Sequence, residues 1–320
     1  MKLKTSLRAF AVLSLGGWLM AGCGSSSGNN GNGNNAPREQ APRNIAIAFD
    51  AMMGHEALVC SENGAPKIYG GVGTTAESVS VTDFRFFVSE VSMVKADGTR
   101  VLLTLENNSN QYQAQNGDNV ALLDFEDNTG NCVDRGNTPQ TYGTIVGTVA
   151  EGEYTGIEFT LGVPFAINHD KESYVDVEVL NQPKMEWNWQ AGRKFTKMEV
   201  RSESNPSLVW NFHLGSTGCV ASEDNSTVVT ESCAQPNRVT VLLENFDPEQ
   251  NAVKVNFKKL LMQNNVGDDL GGAKGCMSGL TDPECQTLMP QLALDVANQN
   301  GLCVNGNDCG SQQLFYTISK

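Results

Sequence analysis

Between residues 44 and 262 the chain is a series of short β-type runs cut by Gly, Asn, Asp and Pro. Residues 45–49 are apolar throughout, as in a strand buried on both faces. Residues 79–88 alternate over their first part, with Val79 and Val81 set against Ser80 and Thr82, the period of a half-buried strand. Residues 100–105 follow an Asp97-Gly98 turn signal, so these two runs read as a hairpin. The runs 143–149, 156–161, 194–201, 208–214, 238–243 and 253–257 continue the series. Many short strands at fairly even spacing predict an all-β fold, an antiparallel β-sandwich-like domain. Helical character is confined to a turn at 258–262 and to 284–297, where Pro290 leaves two short pieces rather than one helix.

The N-terminus reads as an export signal. Lys2, Lys4 and Arg8 precede an apolar run, 9–19, that is too short to span a bilayer as a helix. Leu19-Met20-Ala21-Gly22-Cys23 then matches a bacterial lipobox, in which the cysteine is lipidated and becomes the new N-terminus. The expectation is a lipoprotein signal peptide at 1–22 with Cys23 as the lipid anchor. Residues 23–43 are Gly, Asn, Ser and Pro with almost nothing to bury, which predicts a flexible tether. Gly24 after the cysteine favours the outer membrane by enterobacterial sorting logic. The chain is therefore expected in the bacterial cell envelope, touching the membrane through the lipid alone, since no later segment is long and apolar enough for a transmembrane helix. The domain is expected over 44–262. A Cys-rich, partly helical appendage is expected over 263–320, packed on the core.

Eight further cysteines follow: Cys60, Cys132, Cys219, Cys233, Cys276, Cys285, Cys303 and Cys309. An even number in an exported chain reads as a disulfide framework. The close pairs suggest Cys219–Cys233, Cys276–Cys285 and Cys303–Cys309, leaving Cys60 with Cys132, although spacing alone does not fix the connectivity. The rival reading, a thiolate zinc site, lacks any C-x-x-C pair and needs free thiolates in an oxidising compartment.

The formal net charge is −14, and removal of the leader takes away three positive charges and no negative ones. So acidic a chain lacks the basic patches that nucleic acid requires and favours cationic partners or metal ions. No G-x-S-x-G, H-E-x-x-H or P-loop occurs, and no C-x-x-C-H, so neither an enzyme nor a c-type haem carrier is expected.

The chemistry-bearing residues gather between 168 and 219. Only three histidines occur, and two of them, His169 and His213, bracket Met185-Glu186-Trp187-Asn188-Trp189. Histidines on a β framework near an oxidisable indole suggest soft-metal chemistry rather than hydrolysis, and imidazole suits copper in either oxidation state. Asn168 or Asp170 is placed to hold the first imidazole by a hydrogen bond, as metal-bound histidines need. The plainer reading makes His169 a turn residue and His213 a satisfied core histidine. Trp187 and Trp189 lie two apart, so in a strand they share a face with Met185, either as a core stripe or as an oxidisable indole beside a thioether ligand. Trp210 lies outside the motif and reads as core. His55, in Met52-Met53-Gly54-His55, reads as a surface residue. The acidic stretch 124–131 is a second, less supported metal candidate, for calcium, and lacks the register of an EF-hand loop.

Several phrases carry a resemblance. They are Asp83-Phe84-Arg85-Phe86-Phe87-Val88-Ser89, Val120-Ala121-Leu122-Leu123-Asp124-Phe125-Glu126-Asp127, Leu161-Gly162-Val163-Pro164-Phe165, Asn168-His169, the stretch from Met185 through Phe195, and that from His213 to Cys219. From about Ile45 to Leu261 the chain resembles the MbnP-like proteins, the "metallo-mystery pair" four-Cys family that includes a methanobactin-associated copper-binding periplasmic protein. The resemblance implies that Cys60, Cys132, Cys219 and Cys233 are the framework cysteines. It implies copper (Cu+ or Cu2+) as the cofactor, bound beside histidines, for which the residues themselves offer His169 and His213, with the thioether of Met185 as an auxiliary ligand. It also implies a partner, a diheme enzyme similar to cytochrome c peroxidases, which oxidises Trp187 or Trp189 to kynurenine. Arg193 departs from the pattern, where the family mostly has Tyr. The alternative function is a non-metal surface module that holds a glycan or another protein.

Overall fold

The computed structural model describes residues 41–134, 136–170, 176–188, 191–224, 227–303 and 316–319. The expected leader, Cys23, nearly all of the tether, Trp189 and Cys309 lie outside the described residues.

Two sheets form the body. The smaller runs, in spatial order, Tyr316–Ile318, Val253–Asn256, Arg43–Met53, Thr144–Val149 and Thr104–Leu105. The larger is organised around the 18-residue strand Glu77–Val94, in the order Val239–Glu244, Gly156–Leu161, Glu77–Val94, Thr196–Ser202, Val209–Phe212 and Gly275–Cys276. The strands expected from the sequence are present, with ends moved by a few residues. The Asp97-Gly98 hairpin pairs Val94 with Arg100.

Alternation along Glu77–Val94 fixes which side chains meet. Phe86 turns toward the smaller sheet, with its ring 6.4 Å from that of Phe49. Phe49 also meets Phe159 at 5.5 Å, and Phe159 meets Tyr316 at 5.1 Å. These edge-on contacts, favoured by the ring quadrupoles, join the two sheets into a sandwich. Asp83 and Arg85 point the other way, yet both are buried. A second layer therefore covers the outer face of the larger sheet, and the candidate site lies in it.

The sheets are mostly antiparallel, with two short parallel pairs: Arg43–Met53 with Val253–Asn256, and Val209–Phe212 with Gly275–Cys276. Both arise where a later segment returns to an earlier strand. The 263–320 segment, expected as an appendage packed on the core, also contributes a strand to each sheet, and its Tyr316 is fully buried. Its helical part is the two short pieces that Pro290 predicts, Pro283–Leu288 and Met289–Leu292. Asp282 caps the first by accepting from the Glu284 amide at 3.1 Å.

Three disulfides join Cys60–Cys132, Cys219–Cys233 and Cys276–Cys285, as the spacing suggested. Cys303 is also disulfide-bonded. Several elements have no counterpart in the sequence reading, among them the strands Ile68–Val72 and Asn119–Asp124, which pair with Glu77–Val94, and one hairpin. Thr217–Asp224 and Thr227–Gln235 pair as a hairpin that forms a sheet of its own. Its sequence is polar and rich in Ser and Thr, so no buried face marks it.

Candidate metal site

His213 directly follows the strand Val209–Phe212, whose neighbour is Thr196–Ser202 with Asn211 opposite Glu199. This register puts Lys197, Glu199 and His213 on the outer face. His213 Nε2 lies 2.7 Å from Glu199 Oε1. Lys197 Nζ donates to Glu199 at 2.9 Å and to Asp83 at 2.6 Å. Arg85 pairs with Asp83 and lies 3.7 Å from Glu126. The result is a buried row of alternating charge: Glu126, Arg85, Asp83, Lys197, Glu199, then His213. Alternation is what makes such burial tolerable, because each ion has a counter-ion in hydrogen-bond reach.

This row sets the protonation of His213. Burial pushes the Glu199 carboxyl up, but the hydrogen bond from His213 and the Lys197 ammonium outweigh it and hold the group down to about 2. Glu199 is thus an anion, and His213 Nε2–H donates to it. Burial also pushes the imidazole of His213 below its ordinary value, against the opposing pull of Glu199. The ring is therefore neutral near pH 7, with its lone pair on Nδ1. That atom is buried and has no hydrogen-bond partner. An imidazole with a carboxylate behind one nitrogen and nothing on the other is the usual arrangement of a metal-ligating histidine.

His169 ends the short helix Phe165–Asn168, with its amide donating to Phe165 O at 3.2 Å and its ring 4.6 Å from that of Phe165. The Arg193 amide donates to Asn168 Oδ1 at 2.9 Å, which fixes the direction of the Asn168 side chain. Asn168 Nδ2 then faces His169 Nε2 at 3.0 Å and must donate to it. Nε2 of His169 is consequently the lone-pair nitrogen. The same nitrogen lies 3.5 Å from Cys233 Sγ. Arg193 also anchors the helix. Its guanidinium donates to the carbonyls of Leu180, Ile167 and Asn168 at 2.8, 2.8 and 3.0 Å.

Trp187 sits in the short strand Glu186–Asn188 and is half-buried. Its ring lies over Gly215, where a Cβ would meet Cζ3 at 2.6 Å and the Arg193 carbonyl oxygen at 2.9 Å. Gly215 is two residues beyond His213. Met185 is fully buried and closes the 3-10 turn Pro183–Met185, so it does not extend the strand face of Trp187. Trp210 is fully buried, as read from the sequence.

The two histidines have separate partners, and no hydrogen bond joins their rings. They are connected through Asn168, Arg193 and Gly215. Among the described residues, the cluster of three metal-capable ligand atoms is His169 with Cys219 and Cys233, all within 4.8 Å of one another, and His213 is outside it. In the acidic stretch, the carboxylates serve the protein itself. Asp124 and Glu126 accept from the amides of Glu126 and Asn128 at 3.1 and 3.0 Å, and Asp127 accepts from Thr129 at 3.0 Å. His55 is exposed on a turn. Glu199 was not read from the sequence. Its signal was the alternation Lys197, Glu199, Arg201 in a strand next to a histidine-bearing one.

A family model, MbnP, matches residues 42–278, a span that contains His169, Trp187, His213 and the Cys219–Cys233 hairpin. The solved structure of MbnP from Methylosinus trichosporium is similar, with a TM-score of 0.73 and 27% sequence identity over 88% of this chain and 99% of that one. No protein of curated function matches this sequence.

Proposed function

The chain belongs to the MbnP family, and on that premise we propose that it is a copper-binding protein of the cell envelope with a methanobactin-associated role. His213 is the first ligand, through Nδ1. His169, held one step away through Asn168 and Arg193, is the second, through Nε2. The observation that carries this reading is the buried, unpartnered Nδ1 of a neutral His213 backed by an ionised Glu199. Burying such a nitrogen unpaired costs about 1–3 kcal/mol, a cost that a bound ion removes. The donor set fits copper, since imidazole nitrogen binds both of its oxidation states.

In this reading the chain is a protein substrate rather than an enzyme. A diheme peroxidase-like partner oxidises a tryptophan of the 185–189 motif to kynurenine, whose amine and carbonyl add polar donors near the ion. Trp187 is the described candidate, half-exposed and packed on the segment that carries His213. The anchor at Cys23 holds the domain at the membrane, with the tether as spacer.

The test is co-expression with and without a diheme partner, followed by copper analysis and peptide mass mapping across Trp187 and Trp189. Copper bound at one equivalent, lost in His213→Ala and accompanied by a kynurenine mass in that peptide, is the expected result. No copper and no modified tryptophan would overturn the reading.

A further inference from the structure

We propose that the Cys219–Cys233 disulfide is a reducible latch, and that its two thiols join His169 in a second metal site, a Cys2His site for a thiophilic d10 ion such as Zn2+ or Cu+. The site takes the same His169 Nε2 as the copper reading above, so the two are alternatives selected by the state of the disulfide, and only the His213 end is separate.

Three observations converge. First, the ligand atoms of His169, Cys219 and Cys233 already lie within 4.8 Å of one another. A tetrahedral ion with bonds of about 2.3 Å to sulfur and 2.0 Å to nitrogen holds N and S ligands about 3.5 Å apart. His169 Nε2 is 3.5 Å from Cys233 Sγ. The sulfurs need only open to about 3.8 Å, the S···S edge of the same tetrahedron. Second, Nε2 of His169 is the lone-pair nitrogen, and the bond it accepts from Asn168 Nδ2 at 3.0 Å is given up when an ion takes that lone pair. Third, Cys219 and Cys233 are partly exposed, whereas Cys60, Cys132, Cys276 and Cys285 are fully buried. Of the disulfides with both cysteines described, this one alone is open to a reductant.

The hairpin is built to survive opening. Its strands pair only with each other, so the two main sheets do not depend on it. Its base is held without the disulfide. Thr217 Oγ1 donates to Gln235 Oε1 at 3.2 Å, and Gln235 Nε2 donates to Gln299 O at 2.9 Å. Asn237 Nδ2 donates to Gly215 O at 2.8 Å. The cysteines therefore stay opposite each other, in the register Cys219↔Cys233, after the bond is cut.

The reductant is a dithiol. One of its thiolates attacks the Cys219 sulfur, the disulfide breaks, and Cys233 leaves as a thiolate beside His169. The second thiol of the reductant attacks the mixed disulfide and frees Cys219. Two electrons and two protons pass to the hairpin, and the reductant ends as a disulfide. Metal binding then displaces both thiol protons to solvent.

The test reduces the native protein with dithiothreitol, removes the reductant anaerobically, and locates free thiols by alkylation and peptide mapping. The reduced protein is then titrated with Co2+ alone and with Zn2+ alone. Thiols are expected at Cys219 and Cys233 first. One equivalent of Co2+ should bind with a thiolate-to-metal charge-transfer band, which Zn2+ abolishes. His169→Ala should weaken binding at least tenfold, His213→Ala should leave it unchanged, and a Cys219→Ser/Cys233→Ser variant with an unaltered circular dichroism spectrum should lack the band. Reduction of a buried disulfide first, or two free thiols at 219 and 233 with no charge-transfer band, would overturn the proposal. The oxidised protein lacks this site, so its copper binding reports on the His213 centre separately.

Discussion

The imidazole of His213 and the carboxylate of Glu199 meet at 2.7 Å across two neighbouring strands, and the histidine's other nitrogen is buried without a partner. Each residue sets the other's charge state. Glu199 stays ionised because His213 and Lys197 donate to it, and His213 is pinned in one tautomer because Glu199 accepts from it.

Glu199→Gln tests that relation. The amide can still accept from Nε2–H, so the ring keeps its direction, but the negative charge that raises imidazole basicity is gone. Copper affinity should fall about 10- to 100-fold, the usual cost of losing a carboxylate behind a ligating histidine. A competition titration against a chromophoric copper chelator measures it. Affinity equal to the parent protein would mean that Nδ1 of His213 is not a ligand.

Arg193 anchors the short helix that leads to His169, and its contacts say what its loss alters. Three buried carbonyls, of Leu180, Ile167 and Asn168, accept from one guanidinium. Arg193→Ala removes all three of these buried bonds and should destabilise the protein by about 3–5 kcal/mol. Arg193→Lys should recover only part, because an ammonium cannot reproduce the planar fork. Denaturant unfolding of both variants gives the comparison, and a loss under about 1 kcal/mol in the alanine variant contradicts this role.

The sandwich was legible because its strands carry apolar runs or alternation that sequence shows, but which faces are covered was not: residues 45–49, read as buried on both faces, expose Ala46, and residues 79–88, read as half-buried, are buried on both faces apart from Thr82. The outer layer was less legible. Asp83, Arg85, Lys197 and Glu199 were given no role from the sequence, since alternating charge opposite a core stripe normally meets water. Here the row is self-neutralising, and so Asp83, Arg85 and Lys197 are buried and Glu199 is largely covered. His169 and His213 were found as ligand candidates by type and spacing, but their partners depend on register between strands distant in sequence. The proximity of His169 to Cys233 was invisible for the same reason: 64 residues separate them, and the polar sequence of 217–235 marks no strand pairing.

Gly215 is a steric requirement of the Trp187 position. A Cβ there would sit 2.6 Å from the indole and 2.9 Å from a main-chain oxygen. The indole can tilt, but the Arg193 carbonyl belongs to a buried segment and cannot. Gly215→Ala should therefore cost about 1–3 kcal/mol, as overpacking does. It should also displace Trp187 toward solvent, seen as a red shift in the fluorescence that Trp187→Phe removes. Unchanged stability and emission would show that the ring is not seated on Gly215.

Asp124 gives a pH signature of opposite sign to most carboxylates. Burial, resisted by Arg85 and reinforced by Glu126, pushes its folded pKa up to about 7, from the ordinary 3.8. Between these values the native state holds a proton that the unfolded chain has released. Stability from this group is therefore complete below pH 3.8 and is lost as pH rises through 7. Asp124→Asn keeps the acceptor for the Glu126 amide, 3.1 Å away in the parent, and removes the ionisation. The variant should match the parent near pH 4 and exceed it at pH 8 by about 2–4 kcal/mol. Urea unfolding of both proteins at the two pH values measures the difference. A gain independent of pH, or a variant less stable than the parent at pH 8, would place the titration elsewhere in the buried row.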